Sequence, residues 1–393
     1  MGLGLAGTAP AQQSRDVTNA QPVVDDPAAV EEVTSPPPIP DTIPVAMLLD
    51  VSTGQVLFSR EPDRRFMPAS VTKVMTAFTA FRLIDEGKIE PSRRFLYTQE
   101  LEDEWYNEGS NMFLEAGDRP TFGELLLGAT TVSGNDASVA IAIAATGSLE
   151  NWLELMNENA ADLGMRNTHF GGANGFPDEG KTFTSAADLA RLGEAMVTRY
   201  PGLYKRYFGH RTLKWNEITQ ANHDPVTGRV EGGDGMKTGF TNEAGYTFLG
   251  SAERNGRRLI VVIAASPTAR ERDKAARDML EWGFDEFDQR RFLPATAKVG
   301  DALVQEGSSD TVALLAPEGV RLTLPKGPHG PITTRIVYRG PIEAPISKDE
   351  EIASLRIAVD GEDMLDVPLV AGDDIGRAGP FRRVRNAILH WLT

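Results

Sequence analysis

Two short runs, 45–49 and 55–59, are read as alternating strands on either side of the peptide Asp50-Val51-Ser52-Thr53-Gly54. Strand-like runs on either side of a polar, glycine-ended turn predict an antiparallel hairpin. The pattern then changes period. Val71, Val74, Met75, Ala77, Phe78, Ala80 and Phe81 place apolar side chains nearly all round a helix, which predicts a buried one. Further apolar helical stretches cover residues 122–129 and 139–145, and helical patterns continue, with loops between, to about residue 198. Strands return at Lys237. Residues 246–252 and 258–264 are two of them, joined by Asn255-Gly256, a strong signal for a two-residue hairpin turn. Strands, then helices, then strands predict an α+β fold, with helices packed around an antiparallel sheet. Pairing the first hairpin with the late strands would carry Lys237 to the start of the buried helix at Ser70.

From residue 291 the texture is different. Short runs at 311–315, 320–324, 333–338 and 354–359 are separated by Gly, Pro and Asp, which predicts a small all-β domain. The last stretch reads as an amphipathic helix. Phe381, Val384, Ile388 and Leu392 share one face, Trp391 lies beside it, and Arg382, Arg383 and Arg385 cluster at its start. A basic, Trp-containing amphipathic helix suits an anionic membrane surface; the alternative is a helix docked on the β domain. At the other end, Ala9-Pro10-Ala11 is a small-x-small site of the kind that ends a signal peptide, and an ordinary disordered tail is the rival reading. The polar, Pro-rich stretch to residue 43 reads as a flexible leader. The expected organisation is a signal remnant and leader at 1–43, a catalytic domain at 44–289, an all-β domain at 290–374 and an anchor helix at 375–393.

Composition narrows the chemistry. A formal net charge of −16 argues against a general nucleic-acid binder. With no cysteine, thiol catalysis, disulfides and cysteine-ligated zinc are excluded. The histidines form no H-x-x-x-H pair, and no phosphate loop is present, so neither a metal nor another cofactor is expected. Three peptides carry the reactive groups instead: Ser70-Val71-Thr72-Lys73, Ser133-Gly134-Asn135 and Lys237-Thr238-Gly239. Residues three apart on a helix share a face, so Lys73 can serve Ser70 as a base. Burial lowers a lysine pKa towards the range a base needs. Ser133 could relay a proton to a leaving group, and Asn135 could hold a substrate amide. Lys237 offers a cation, Thr238 a hydroxyl, and Gly239 room for substrate backbone. Each peptide alone has an ordinary explanation. Ser-x-x-Lys is frequent, Ser and Asn cap helices, and an edge-strand lysine guards against aggregation.

Together, and in this order, the three peptides resemble the penicillin-recognising serine acyl-transferases. Thr168-His169-Phe170, Asp234-Gly235-Met236 and Trp282-Gly283-Phe284 narrow the resemblance to the low-molecular-mass D-alanyl-D-alanine carboxypeptidases over residues 45 to about 287. The peptide Ile342-Glu343-Ala344-Pro345-Ile346-Ser347-Lys348 is similar to their second domain. The resemblance implies Ser70 as nucleophile, Lys73 as base, and the backbone N–H groups of Ser70 and Phe240 as the oxyanion hole. It implies Arg272 as a ligand of the substrate carboxylate, with Arg270 close enough to compete. Phe240 departs from the pattern, since many relatives carry His there.

The implied activity is removal of the terminal D-alanine from peptidoglycan stem peptides through an ester on Ser70. β-Lactams would acylate the same serine, and the implied location is the periplasm, against the inner membrane. A DD-endopeptidase has identical chemistry. A class A β-lactamase would need a glutamate to position water, for which only Glu179 stands in the right stretch. A non-enzymatic β-lactam sensor or wall-binding protein would keep the scaffold without turnover.

Overall fold

The computed structural model describes residues 35–327 and 329–379. They form two compact units, divided between Phe287 and Asp288. In the first unit, β1 (Val45–Asp50) and β2 (Gln55–Arg60) form the predicted hairpin. A 3₁₀ turn (Ala69–Val71) leads into α1 (Thr72–Asp85), followed by α2 (Gln99–Trp105), α3 (Phe122–Thr131), α4 (Asn135–Thr146), α5 (Leu149–Asp162), α6 (Ala186–Arg199) and α7 (Pro201–Tyr207). After a small hairpin of β3 (Thr212–Trp215) and β4 (Ile218–Ala221) come β5 (Gly233–Thr241), β6 (Gly245–Arg254), β7 (Arg257–Ser266) and α8 (Ala269–Asp285). The five-stranded sheet runs β2-β1-β7-β6-β5, with every neighbouring pair antiparallel.

Both faces of this sheet are covered, and the strand sequences show why. In β1, Val45, Met47 and Leu49 join the core under the helical layer, while Ala46 and Leu48 join a second core under α8. The same division separates Ile260 and Val262 of β7 from Leu259, Val261 and Ile263. A strand buried on both sides reads as an unbroken apolar run, not an alternating one. Helix α1 sits inside the helical core, with Val74, Met75, Phe78 and Phe81 all buried.

One charged pair is buried on the α8 side of the sheet. Arg257 Nε donates to Asp50 Oδ2 at 2.7 Å, and its Nη1 donates to the Phe287 carbonyl at 3.0 Å. Removing one partner of a buried pair leaves the other desolvated. Arg257→Ala is therefore expected to destabilise this unit by about 3–5 kcal/mol, seen as an earlier urea transition; an unchanged midpoint would mean the pair contributes nothing.

The second unit contains β8 (Phe287–Leu293), β9 (Ala297–Gln305), β10 (Thr311–Ala316), β11 (Val320–Pro325), β12 (Ile332–Val337), β13 (Ile342–Glu343), β14 (Glu351–Val359) and β15 (Glu362–Ala371). A six-stranded sheet runs β12-β14-β15-β10-β9-β13, and β11 pairs with β8. Leu314, Leu322, Leu355, Ile357 and Leu369 fill its core.

Two expected boundaries shift. Residues 35–43, assigned to the leader, are part of the first unit. Ile39 and Ile43 are in the α8-side core, the Trp282 indole donates to the Ser35 carbonyl at 2.7 Å, and Arg60 donates to the carbonyls of Pro40 and Ile43 at 2.8 Å each. Likewise 375–379 belong to the β unit rather than to a terminal helix, because Ile375 bridges to Ile346 and lies in its core, and Arg377 bridges to Gly307. The remainder of the expected signal remnant and of the anchor helix lies outside the described residues. No described helix is long and apolar enough to cross a membrane.

Candidate active site

The turn before α1 is held in a costly conformation. Ala69 has φ +50, a left-handed value that non-glycine residues adopt at a cost of about 1–3 kcal/mol. Two glycines press against this turn from opposite segments. A Cβ on Gly175 (φ +75) would lie 1.8 Å from the Ala69 carbonyl oxygen, and one on Gly239 would lie 2.5 Å from that of Pro68 and 3.2 Å from Ser70 N. Gly239 thus allows β5 to pack against the nucleophile's own turn.

One turn along, Lys73 is completely buried. Its Nζ lies 3.0 Å from Ser70 Oγ, 2.7 Å from Asn135 Oδ1 and 2.6 Å from the Asn174 carbonyl oxygen. The Asn135 amide has a defined orientation, because its Nδ2 donates to the Glu108 carbonyl at 2.8 Å. Two of the three neighbours can therefore only accept. A neutral amine has two N–H groups and one lone pair, so satisfying both acceptors turns the lone pair towards the Ser70 hydroxyl. Burial, and then the positive charge of Lys237, hold the Lys73 pKa well below its ordinary value, against a smaller upward pull from Asp136.

The second peptide is arranged differently from expectation. Asn135 opens α4 rather than lying in a loop, and Gly134 precedes it as a cap residue without a side-chain hydrogen bond. The Asn135 Oδ1 accepts from Lys73 and its Nδ2 donates to the Glu108 carbonyl, which leaves the second N–H of the amide for a substrate. Ser133 is buried in a left-handed conformation, φ +64, and its hydroxyl is not among the three partners of Lys73. The buried Asp136 carboxylate accepts from the backbone N–H groups of Met112, Leu114 and Ala137 at 2.9, 3.1 and 2.8 Å, which fixes the 108–114 segment over Asn135.

On the other side stands edge strand β5. A register shift between Gly233 and Gly235 precedes Lys237, whose Nζ donates to the Thr238 carbonyl at 2.8 Å. Burial and the nearby Arg272 lower the Lys237 pKa to about 7, with Asp224 opposing them. Arg272, from α8, is buried, whereas Arg270 is exposed. The Arg272 guanidinium donates to Asp273 Oδ1 at 2.6 Å and to the Thr247 carbonyl at 3.3 Å, and lies 5.9 Å from the Tyr246 ring centroid. Tyr246 in turn stacks on Phe240 with centroids 4.2 Å apart. The Phe240 side chain is 49% exposed.

Three contributors were missed from the sequence: Asn174, Asp136 and Asp224. Asp136 directly follows Ser133-Gly134-Asn135, the Asn174-Gly175 turn pair offered a signal, and Asp224 offered none. Glu179 is exposed on a turn with φ +59. Among the described residues no group of three or more His, Cys, Asp or Glu is placed to hold a metal ion.

A serine hydroxyl facing the lone pair of a buried lysine, with two further buried cations nearby, defines a serine acyl-transfer enzyme. The chain belongs to the D-alanyl-D-alanine carboxypeptidase family of serine peptidases, which it matches over residues 34–268. Residues 287–377 match the C-terminal domain of penicillin-binding protein 5. The chain is 31% identical to the D-alanyl-D-alanine carboxypeptidase DacF of Bacillus subtilis over 352 residues, 88% of this chain and 89% of that protein. Penicillin-binding protein 5 of Haemophilus influenzae has a similar structure, with a TM-score of 0.77 at 30% identity over 87% of this chain and 99% of that one. Penicillin-binding protein D2 of Listeria monocytogenes, solved in its ampicillin-bound form, has a TM-score of 0.57 at 26% identity over 64% of this chain and all of the other.

Proposed function

We propose that the protein removes the terminal D-alanine from peptidoglycan stem peptides through an acyl-enzyme on Ser70. The observation that carries this reading is the Lys73 amine, buried and held by two obligate acceptors with Ser70 Oγ 3.0 Å away. Ser70 Oγ attacks the carbonyl carbon of the penultimate D-alanine as its proton passes to Lys73. The developing oxyanion is met by the N–H groups of Ser70 and Phe240, donors whose loss typically costs about 10²–10³ in rate. The C–N bond then breaks, and D-alanine leaves after gaining a proton from Lys73, with Ser133 as the relay. Water attacks the resulting ester, delivers a proton back to Ser70, and frees the shortened stem. Lys237 and Arg272 bind the terminal carboxylate, and the Thr238 hydroxyl supports it.

β-Lactams acylate the same serine, a reading supported by the ampicillin-bound relative. Export to the periplasm and attachment to the inner membrane are supported by the small-x-small site at Ala9-Pro10-Ala11 and by the arginine-rich terminal peptide Phe381-Arg382-Arg383-Val384-Arg385. The exposed Glu179 removes the specific support for a class A β-lactamase.

The test uses purified full chain and a stem pentapeptide. Release of free D-alanine, together with covalent labelling by a fluorescent penicillin, is expected for the wild type, and neither for Ser70→Ala. Persistent labelling of Ser70→Ala would remove the serine from its role. Cleavage of cross-linked muropeptide dimers faster than D-alanine release would shift the reading to an endopeptidase. A stable adduct with no D-alanine release would shift it to a sensor.

A further inference from the structure

The segment after α5 grips α1 through consecutive carbonyls. The Ala173 carbonyl accepts from Thr76 Oγ1 at 2.5 Å, and the Asn174 carbonyl accepts from Lys73 Nζ at 2.6 Å. Thr76 and Lys73 are one helical turn apart, so two successive peptide groups face one side of the helix. What aims the second carbonyl is the side chain of the same residue. Asn174 Oδ1 accepts from the Phe176 N–H at 3.0 Å, which closes an Asx turn across Gly175. Gly175, left-handed, lies against the Ala69 carbonyl, and the Phe176 ring packs edge-on against Trp105 at 5.8 Å. Asn174 is buried, and its Nδ2 has no hydrogen-bond partner among the described residues, so its side chain holds the turn through Oδ1 alone.

We propose that Asn174 is a positioning residue for the base: its side chain fixes the turn that directs its own carbonyl at the Lys73 amine. This rests on the assignment of Ser70 and Lys73 made above. The amine has three-fold rotational freedom about its last bond. Asn135 Oδ1 alone fixes one N–H and leaves the lone pair free to circle. A second fixed acceptor removes that freedom and presents the lone pair to Ser70. An N–H turned towards Ser70 cannot take its proton.

The residue type is explained by charge. The groups facing Lys73 are Ser70 from the 3₁₀ turn before its helix, Asn135 and Asp136 from α4, Asn174 from this segment and Lys237 from β5. An aspartate at 174 would close the same turn but set a second carboxylate near the amine and favour its protonated, non-basic form. The neutral amide closes the turn without that cost.

The test measures the second-order rate of acylation by a fluorescent penicillin across pH, in the full chain. Ser70→Ala is run first; if it still labels, the assignment of the nucleophile fails, independently of position 174. Given a silent Ser70→Ala, Asn174→Ala is expected to acylate about 10–10²-fold more slowly, the scale of a misplaced catalytic group. Asn174→Ser is expected to stay within about threefold of wild type, because a hydroxyl closes the same turn. Asn174→Asp is expected to move the acid limb of the profile up by about one pH unit or more. Equal rates for Ala and wild type, or equally slow Ala and Ser variants, would overturn the proposal. Should the Ala variant prove unfolded by circular dichroism, the Asp profile decides: a displaced limb supports the role, and an unmoved one overturns it.

Discussion

Lys73→Ala is expected to slow acylation of Ser70 by about 10³-fold, within the range lost when a positioned general base is removed. Lys73→Arg should be no better. A guanidinium keeps its proton throughout the accessible pH range, so it retains the charge and the hydrogen bonds but cannot accept the serine proton. The physical basis is the position of the amine. It is fully enclosed, its pKa is lowered chiefly by burial, and both of its obligate acceptors are occupied. Rapid-mixing measurements with a fluorescent penicillin give the rate directly. Near-wild-type acylation by Lys73→Arg would show that the lysine acts as a fixed charge and that another group takes the proton.

The pH dependence of kcat/KM for a stem pentapeptide is expected to show an alkaline limb near 7. This ratio reports the ionisations of the free enzyme. As pH rises, Lys237 loses its proton at about 7 and ceases to attract the substrate carboxylate, so the rate falls. A bound carboxylate stabilises the ammonium, which pushes its pKa up, so the limb near 7 should be absent from kcat. Lys237→Arg should carry the limb out of the measurable range. Lys237→Ala should abolish it and lower kcat/KM by on the order of 10²-fold, as expected for truncating one partner of a buried charge pair. The groups that set this value are Arg272, which lowers it, and Asp224, which raises it. An alkaline limb unmoved in Lys237→Arg would assign it to another group.

Much of this protein was legible before folding was considered. The buried helix carrying Ser70 and Lys73 announced itself by apolar residues on every side, and Asn255-Gly256 marked a hairpin that the structure has. The hairpin of β3 and β4 was not visible. Its strands are four residues long and mostly exposed or half-buried, so no apolar period marks them. The packing of residues 35–43 was hidden for another reason. A Pro-rich segment reads as leader, and it becomes part of the domain through the burial of Ile39 and Ile43 and the hydrogen bonds to Trp282 and Arg60. The choice between Arg270 and Arg272 also required the fold, because neighbours in sequence on a helix point to different sides. One is exposed, and the other is buried beside Lys237.

The chain's own order of residues determined which reactive groups exist and which pairs sit one helical turn apart, since these depend on local geometry alone. Tertiary structure decided how they act. The lowered pKa of Lys73, the direction of its lone pair and the recruitment of Asn135, Asn174 and Arg272 arise from segments up to some two hundred residues apart in sequence. Desolvation and the facing of dipoles are properties of a packed interior, and no local pattern encodes them.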